Sequence, residues 1–129
     1  MKRLRSDDTG ASAVEFALVM LPLLLLLMGI IDFGRTYDAQ LSVSAAAREG
    51  ARVMAISNSP AAARTAIQHS AALNPAIGSA QISFSPASCS AGATIAVTIT
   101  YPMSSVTGFF TGMMSGKNLH GRATMKCNG

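Results

Sequence analysis

Residues 10–31 read GASAVEFALVMLPLLLLLMGII, and the reading of this stretch decides how the rest of the chain is arranged. Residues 16–31 contain no charged side chain and no Asn or Gln. A helix beginning at Ala11 and rising about 1.5 Å per residue reaches roughly 30 Å by Ile31, the thickness of a bilayer's hydrocarbon core. On insertion scales the Leu, Ile, Phe and Val of residues 16–31 contribute about −0.3 to −0.6 kcal/mol each, about −3 to −7 together. Such a segment tolerates one acid, and Glu15 is that acid. Immersed, it costs up to about 2.5 to 3.5 kcal/mol, and less if it snorkels near the helix end. Spacing suggests a partner for it. Were the chain cut between Gly10 and Ala11, the new ammonium would lie one helical turn from Glu15, within reach inside one chain or between packed neighbours.

On these residues the chain resembles a known family. Gly10, four small or apolar residues, then Glu15-Phe16 and a long apolar helix are similar to a type IV prepilin of the Tad class. The fuller string AVEFALVMLPLLLLLMGIIDFGRTY, followed by AAAREGAR, resembles TadE, the pseudopilin family of that system. The major pilins of the same system usually carry Glu-Tyr and are very short. Here Phe16 takes the Tyr place and a domain of roughly a hundred residues follows. The resemblance is strong over residues 10–53, loose beyond, and most specific at Gly10, Glu15, Phe16 and Pro22. It implies cleavage by a prepilin peptidase on the cytoplasmic side between Gly10 and Ala11, a processing site, with Glu15 and Phe16 as the assembly motif. It also implies other pilins and pseudopilins of a Tad system as partners, a TadF-like one among them. Gly10 suits a scissile position because it leaves an extended backbone unobstructed in a protease cleft, although a Gly can equally cap a helix.

The leader, residues 1–10, places Lys2, Arg3 and Arg5 before the apolar run, whereas the fifteen residues after Ile31 hold one cation, Arg35. The positive-inside rule therefore puts the N-terminus in the cytoplasm and residues 32–129 outside, which for a single-pass inner-membrane protein is the periplasm. An ordinary signal peptide also begins basic and then apolar. Against it, the run is longer than a typical h-region, Glu15 sits at its entrance, and no small-x-small site follows Ile31. A plain uncut anchor is the remaining alternative. Pro22 lies within the span and cannot donate to the Leu18 carbonyl, so a kink is expected there, although membrane helices also tolerate Pro without consequence.

The helical pattern continues from Asp32 to about residue 56, rich in Ala, Leu, Glu and Arg, so one helix is expected to run from the membrane into the domain. Asp32 and Arg35 are three apart and are expected to pair at the outer membrane surface. Arg48, Glu49 and Arg52 read as a solvated face or an interface, and Gly50 permits close approach of another helix. Ser59-Pro60 reads as N-cap and first turn of a second helix over about 60–73, with Ala63, Ile67 and Ala71 on its apolar stripe. His69 lies on or beside its polar face. The pattern then alternates, giving strands over about 80–85, 94–101 and 118–127. Their inward sets are Ala80, Ile82, Phe84; Ile95, Val97, Ile99, Tyr101; and Leu119, Gly121, Ala123, Met125, Cys127, with His120 outward. The fold class is therefore α+β and pilin-like: a long N-terminal membrane-spanning helix, a second helix and a small three-stranded antiparallel sheet packed by one face.

Between the last two strands lies YPMSSVTGFFTGMMSGKN, with Gly108, Gly112 and Gly116 four apart and too short to span a membrane. It reads as a lid on the core or as an exposed patch for a neighbouring subunit. Cys89 and Cys127 are an even count in a domain that the charge rule places outside the cytoplasm, which suggests one disulfide, free thiols being the alternative. No metal-ligand spacing, phosphate loop or nucleophile motif is present, and the acids beyond Glu15 are Asp32, Asp38 and Glu49, all on the long helix. No catalytic residue, metal, cofactor or small-molecule substrate is therefore expected. A net charge of +4 without Trp or a Lys/Arg-rich run argues against nucleic acid as a partner, leaving inner-membrane lipid and sibling subunits. The function expected from the resemblance is that of a TadE-like minor pilin or pseudopilin in a Tad (Flp) pilus for surface adhesion. The alternative is an uncleaved, membrane-anchored periplasmic binding domain.

Overall fold

A computed structural model describes residues 8–128. Helix α1, Asp8–Ser57, is continuous over its 50 residues and is about 75 Å long at the usual rise. It starts three residues before the expected Ala11 and passes through Pro22 without interruption. Helix α2 is Pro60–Ser70, and strands β1 and β2 are Ile82–Ser85 and Thr94–Pro102. A one-turn helix α3, Thr111–Met114, interrupts the connection to strand β3, Asn118–Lys126. The sheet is antiparallel with order β1-β2-β3, so the α+β architecture read from the sequence is the one observed.

Register follows from the alternating side chains. Ile82 pairs with Ile99 and Phe84 with Val97. On the other edge Val97 pairs with Ala123, Ile99 with Gly121 and Tyr101 with Leu119. This puts the large residues of β2 on one face, against the second half of α1. Val43, Ala46, Ala47 and Ala51 are fully buried there with Ile67, Val97 and Ile99, and Met54, Ala55, Ala63, Ile95 and Cys127 continue the core. The helix contributes small residues because the sheet lies close. A Cβ built on Gly121 would come within 2.5 Å of the Val43 carbonyl oxygen, and one built on Gly50 would collide with the Ile67 side chain of α2. These two glycines are where strand and helix reach α1.

Ser59 caps α2, its Oγ accepting from the Ala62 N–H at 3.3 Å, with Pro60 in the first turn. Two expected elements are shorter than the patterns implied. Helix α2 ends at Ser70 rather than at residue 73, because Ala71 turns extended (φ −97°, ψ 109°) and Gln68 donates to the Ile77 carbonyl at 2.9 Å. Tyr101 Oη donates to the Pro75 carbonyl at 2.7 Å and pins the turn that follows; burial raises the Tyr101 pKa above its ordinary value. Strand β1 begins at Ile82 rather than residue 80, because Ser79–Gln81 forms a 3-10 turn and Gln81 Oε1 accepts from the Gly78 N–H at 2.8 Å. Ala80 is consequently exposed. Met125, expected inward, is 38 % exposed at the far end of the sheet, and His120 is exposed on the outward face.

Cys89 and Cys127 form a disulfide with Cα atoms 5.7 Å apart, joining the β1–β2 loop to the end of β3. Asn58 Oδ1 accepts from the Cys89 N–H at 2.6 Å, which ties that loop to the end of α1.

Candidate membrane-anchoring and assembly site

The first half of α1 leaves the domain and stands alone. Val14, Phe16, Leu18, Val19, Leu21 and the leucines that follow are exposed through to Ile31. This is a helix long and apolar enough to cross a membrane, and none of its most apolar stretch is buried within the protein. Bulky apolar residues exposed over this length are stable only where the solvent is itself apolar.

At its N-terminal end, Gly10, Ala11, Glu15 and Phe16 are all helical and exposed. Four helical steps separate the Ala11 and Glu15 Cα atoms by about 6 Å along the axis, so both project from neighbouring turns. The first seven leader residues lie outside the described residues.

Where this exposed half meets the domain, the helix carries a feature that local spacing did not reveal. Asp32 does not pair with Arg35; it is 1 % exposed and its carboxylate is taken up by the connection between β2 and β3. Ser105 Oγ and Thr107 Oγ1 donate to Oδ2 at 2.6 and 2.7 Å, and the backbone N–H groups of Val106 and Thr107 both donate to Oδ1 at 3.0 Å. Four donors converge on two oxygens. The Ser105 hydroxyl, followed by the Thr107 and Val106 donors, outweighs the burial that opposes ionisation and holds the Asp32 pKa down to about 2. The same hydroxyls bond onward, with Gly108 N–H donating to Ser105 Oγ at 3.0 Å and Phe109 N–H to Thr107 Oγ1 at 3.3 Å.

This clamp fixes residues 103–117 against the helix. The connection is closed at its base by the Met103 N–H donating to the Lys117 carbonyl at 2.9 Å. Phe110 lies over Gly29, where an added Cβ would meet its ring at 3.8 Å, and beside Phe33, with ring centroids 6.4 Å apart. Phe109 sits edge-on to Phe110 at 5.6 Å. The two sequence-based alternatives for this segment are both represented. Met114 is buried and Met103 packs on the core, as a lid would, while Val106, Phe109 and Met113 are 58 %, 64 % and 55 % exposed.

Elsewhere the surface is unremarkable chemically. Glu49 and Arg52 form an exposed i,i+3 ion pair, which lowers the Glu49 pKa and raises that of Arg52. A recess of about 80 Å³ beside Arg35, Asp38, Tyr101 and Met103 is far below the roughly 300 Å³ at which small-molecule sites begin. Among the described residues no three His, Cys, Asp or Glu side chains gather as metal ligands.

A family model described as TadE-like protein matches residues 10–52. Neither a curated protein nor a solved structure matches the chain.

Proposed function

We propose, from the TadE-like match over residues 10–52, that this is a Tad pilus-associated pseudopilin cleaved by a prepilin peptidase between Gly10 and Ala11. In this reading residues 11–31 cross the inner membrane, the N-terminus faces the cytoplasm and residues 32–129 form a periplasmic domain. The mature chain takes part in assembling a Tad (Flp) pilus for surface adhesion, with other pilins and pseudopilins of the system as partners, including a TadF-like one.

What supports the reading is that the matched stretch includes Gly10, Glu15 and Phe16 at the exposed N-terminal end of a helix whose C-terminal half is built into a folded domain. The physics of assembly follows. A carboxylate in low dielectric is costly alone and favourable beside an opposite charge, so Glu15 of one subunit favours packing against the Ala11 ammonium of its neighbour. Cleavage itself requires the first turn of α1 to open into an extended strand, and Gly10, with little helix preference, makes that opening inexpensive.

Mass spectrometry of the mature protein tests the reading. A chain beginning at Ala11 is expected; a chain still beginning at Met1 in cells with an active peptidase refutes it. Glu15→Gln is expected to insert and be cleaved normally while entering the pilus poorly. Normal incorporation of that variant would remove the assembly role of Glu15.

A further inference from the structure

We propose that the β2–β3 connection, residues 103–117, is a second membrane contact: an interfacial wedge that dips Val106, Phe109 and Met113 into the headgroup–acyl boundary of the outer leaflet. The inference rests on the reading of residues 11–31 as the membrane span and goes beyond it, because the span alone requires nothing of the domain.

Height along the helix is the first argument. Phe110 lies over Gly29, two residues before the end of the span, which at about 1.5 Å per residue lies roughly 3 Å inside the hydrocarbon edge. The connection is held at that height by the four bonds to Asp32, the first residue beyond the span. A loop fixed beside the exit of a membrane helix shares the depth of that exit. Chemistry is the second argument. Residues 103–116 carry no charged side chain, and the first cation, Lys117, stands at the base of the loop. The exposed Phe109 packs on Phe110, which lies beside the exposed Phe33, so aromatic rings run from the loop onto the helix at the end of its apolar run. Aromatic side chains on an uncharged loop, with cations set back at Arg35 and Lys117, match the layering of an interfacial segment.

The clamp gains a purpose in this setting. A carboxylate at the edge of the hydrocarbon would otherwise demand water, and the Ser105 and Thr107 hydroxyls with two backbone amides replace that water. Asp32 thereby orients the loop towards the lipid without itself being left unsatisfied.

The chain contains no Trp, so a single introduced Trp reports on its own site. Full-length protein is reconstituted in phosphatidylethanolamine/phosphatidylglycerol vesicles carrying lipids brominated either near the headgroup or deep in the acyl chain. Phe109→Trp is expected to be quenched at least about twofold more by the shallow than by the deep bromines, and more than His120→Trp on the outward sheet face. Val106→Trp repeats the measurement should the first variant not fold. Leu24→Trp reports on the span. Quenching of Leu24→Trp by the deep bromines with none of Phe109→Trp or Val106→Trp above the His120→Trp level overturns the wedge and leaves the anchor standing. Absence of quenching at Leu24→Trp overturns the anchor and the wedge with it. Unquenched Phe109→Trp emission that shifts to the blue as protein density rises overturns lipid as the occupant, in favour of a second copy.

Discussion

The two halves of α1 are one unbroken helix with opposite relations to the residues they carry. Up to Ile31 large apolar side chains are exposed on every side; after Asp32 one face is fully buried, most of it alanine with Val43 and Met54, while Phe33, Tyr37 and Leu41 stay exposed. Leu21 and Leu26 face outward, whereas Ala46, Ala47 and Ala51 are sealed beneath the sheet. Side-chain size is therefore a poor guide to burial in this protein. What decides it is the neighbour: a sheet at close range favours alanine and glycine along most of the helix, while a helix that stands alone can carry leucine on every side.

The comparison can be broken most severely at the disulfide. Cys89 and Cys127 are 38 residues apart, and removing the bridge with Cys89→Ser and Cys127→Ser is expected to cost the domain about 4 kcal/mol, a large share of its stability. In detergent, circular dichroism should show the outer half of the chain melting at much lower urea while the helicity of the span persists. Equal loss in both halves would mean that the span depends on the domain.

A smaller effect is expected from enlarging the contact that keeps strand and helix close. Gly121→Val puts a side chain against the Val43 backbone and is expected to destabilise by about 1–3 kcal/mol in urea unfolding. Leu24→Ala, in the exposed half, should leave the domain's unfolding midpoint unchanged. A neutral Gly121→Val would show that the sheet can shift away from α1.

The smallest effect at neutral pH is expected at the junction of the two halves, since releasing the loop leaves the sheet in place. Asp32 has a folded pKa of about 2 against an ordinary value of 3.8, so its bonds stabilise the loop fully above about pH 4. That contribution is lost as pH falls through about 2, because the protonated acid no longer accepts from four donors. Protease cleavage within residues 103–117 should accelerate in wild type between pH 4 and 2, read with an acid-active protease. Asp32→Asn should be cleaved faster already at pH 7 and show little further change over the same interval.

Much of this arrangement was legible in the residues. The apolar run, the Ser59-Pro60 start of α2 and the alternation of β2 and β3 are local patterns, and the elements follow them closely. At one end the candidate site is a local motif. Gly10, Glu15 and Phe16 lie within seven consecutive residues, and a short motif needs no tertiary information. At the other end the nearest opposite charge, Arg35, was a misleading guide to Asp32. Its real partners are 73 to 75 positions away, and a Ser-Ser-Val-Thr string in a loop has no pattern that names an acid. The uncharged, Ser/Thr-bearing stretch of residues 103–116 was the one available signal.

Local order along the chain thus determined the long apolar helix, its continuation into the domain and the strands, because each depends on interactions repeated every two to four residues. The tertiary structure alone decided that α2 stops at Ser70, that Gly121 meets Val43, and that Asp32 captures the loop carrying Phe109 and Phe110. Each of these joins residues distant in sequence, and their cost or benefit exists only once the sheet has closed over the helix.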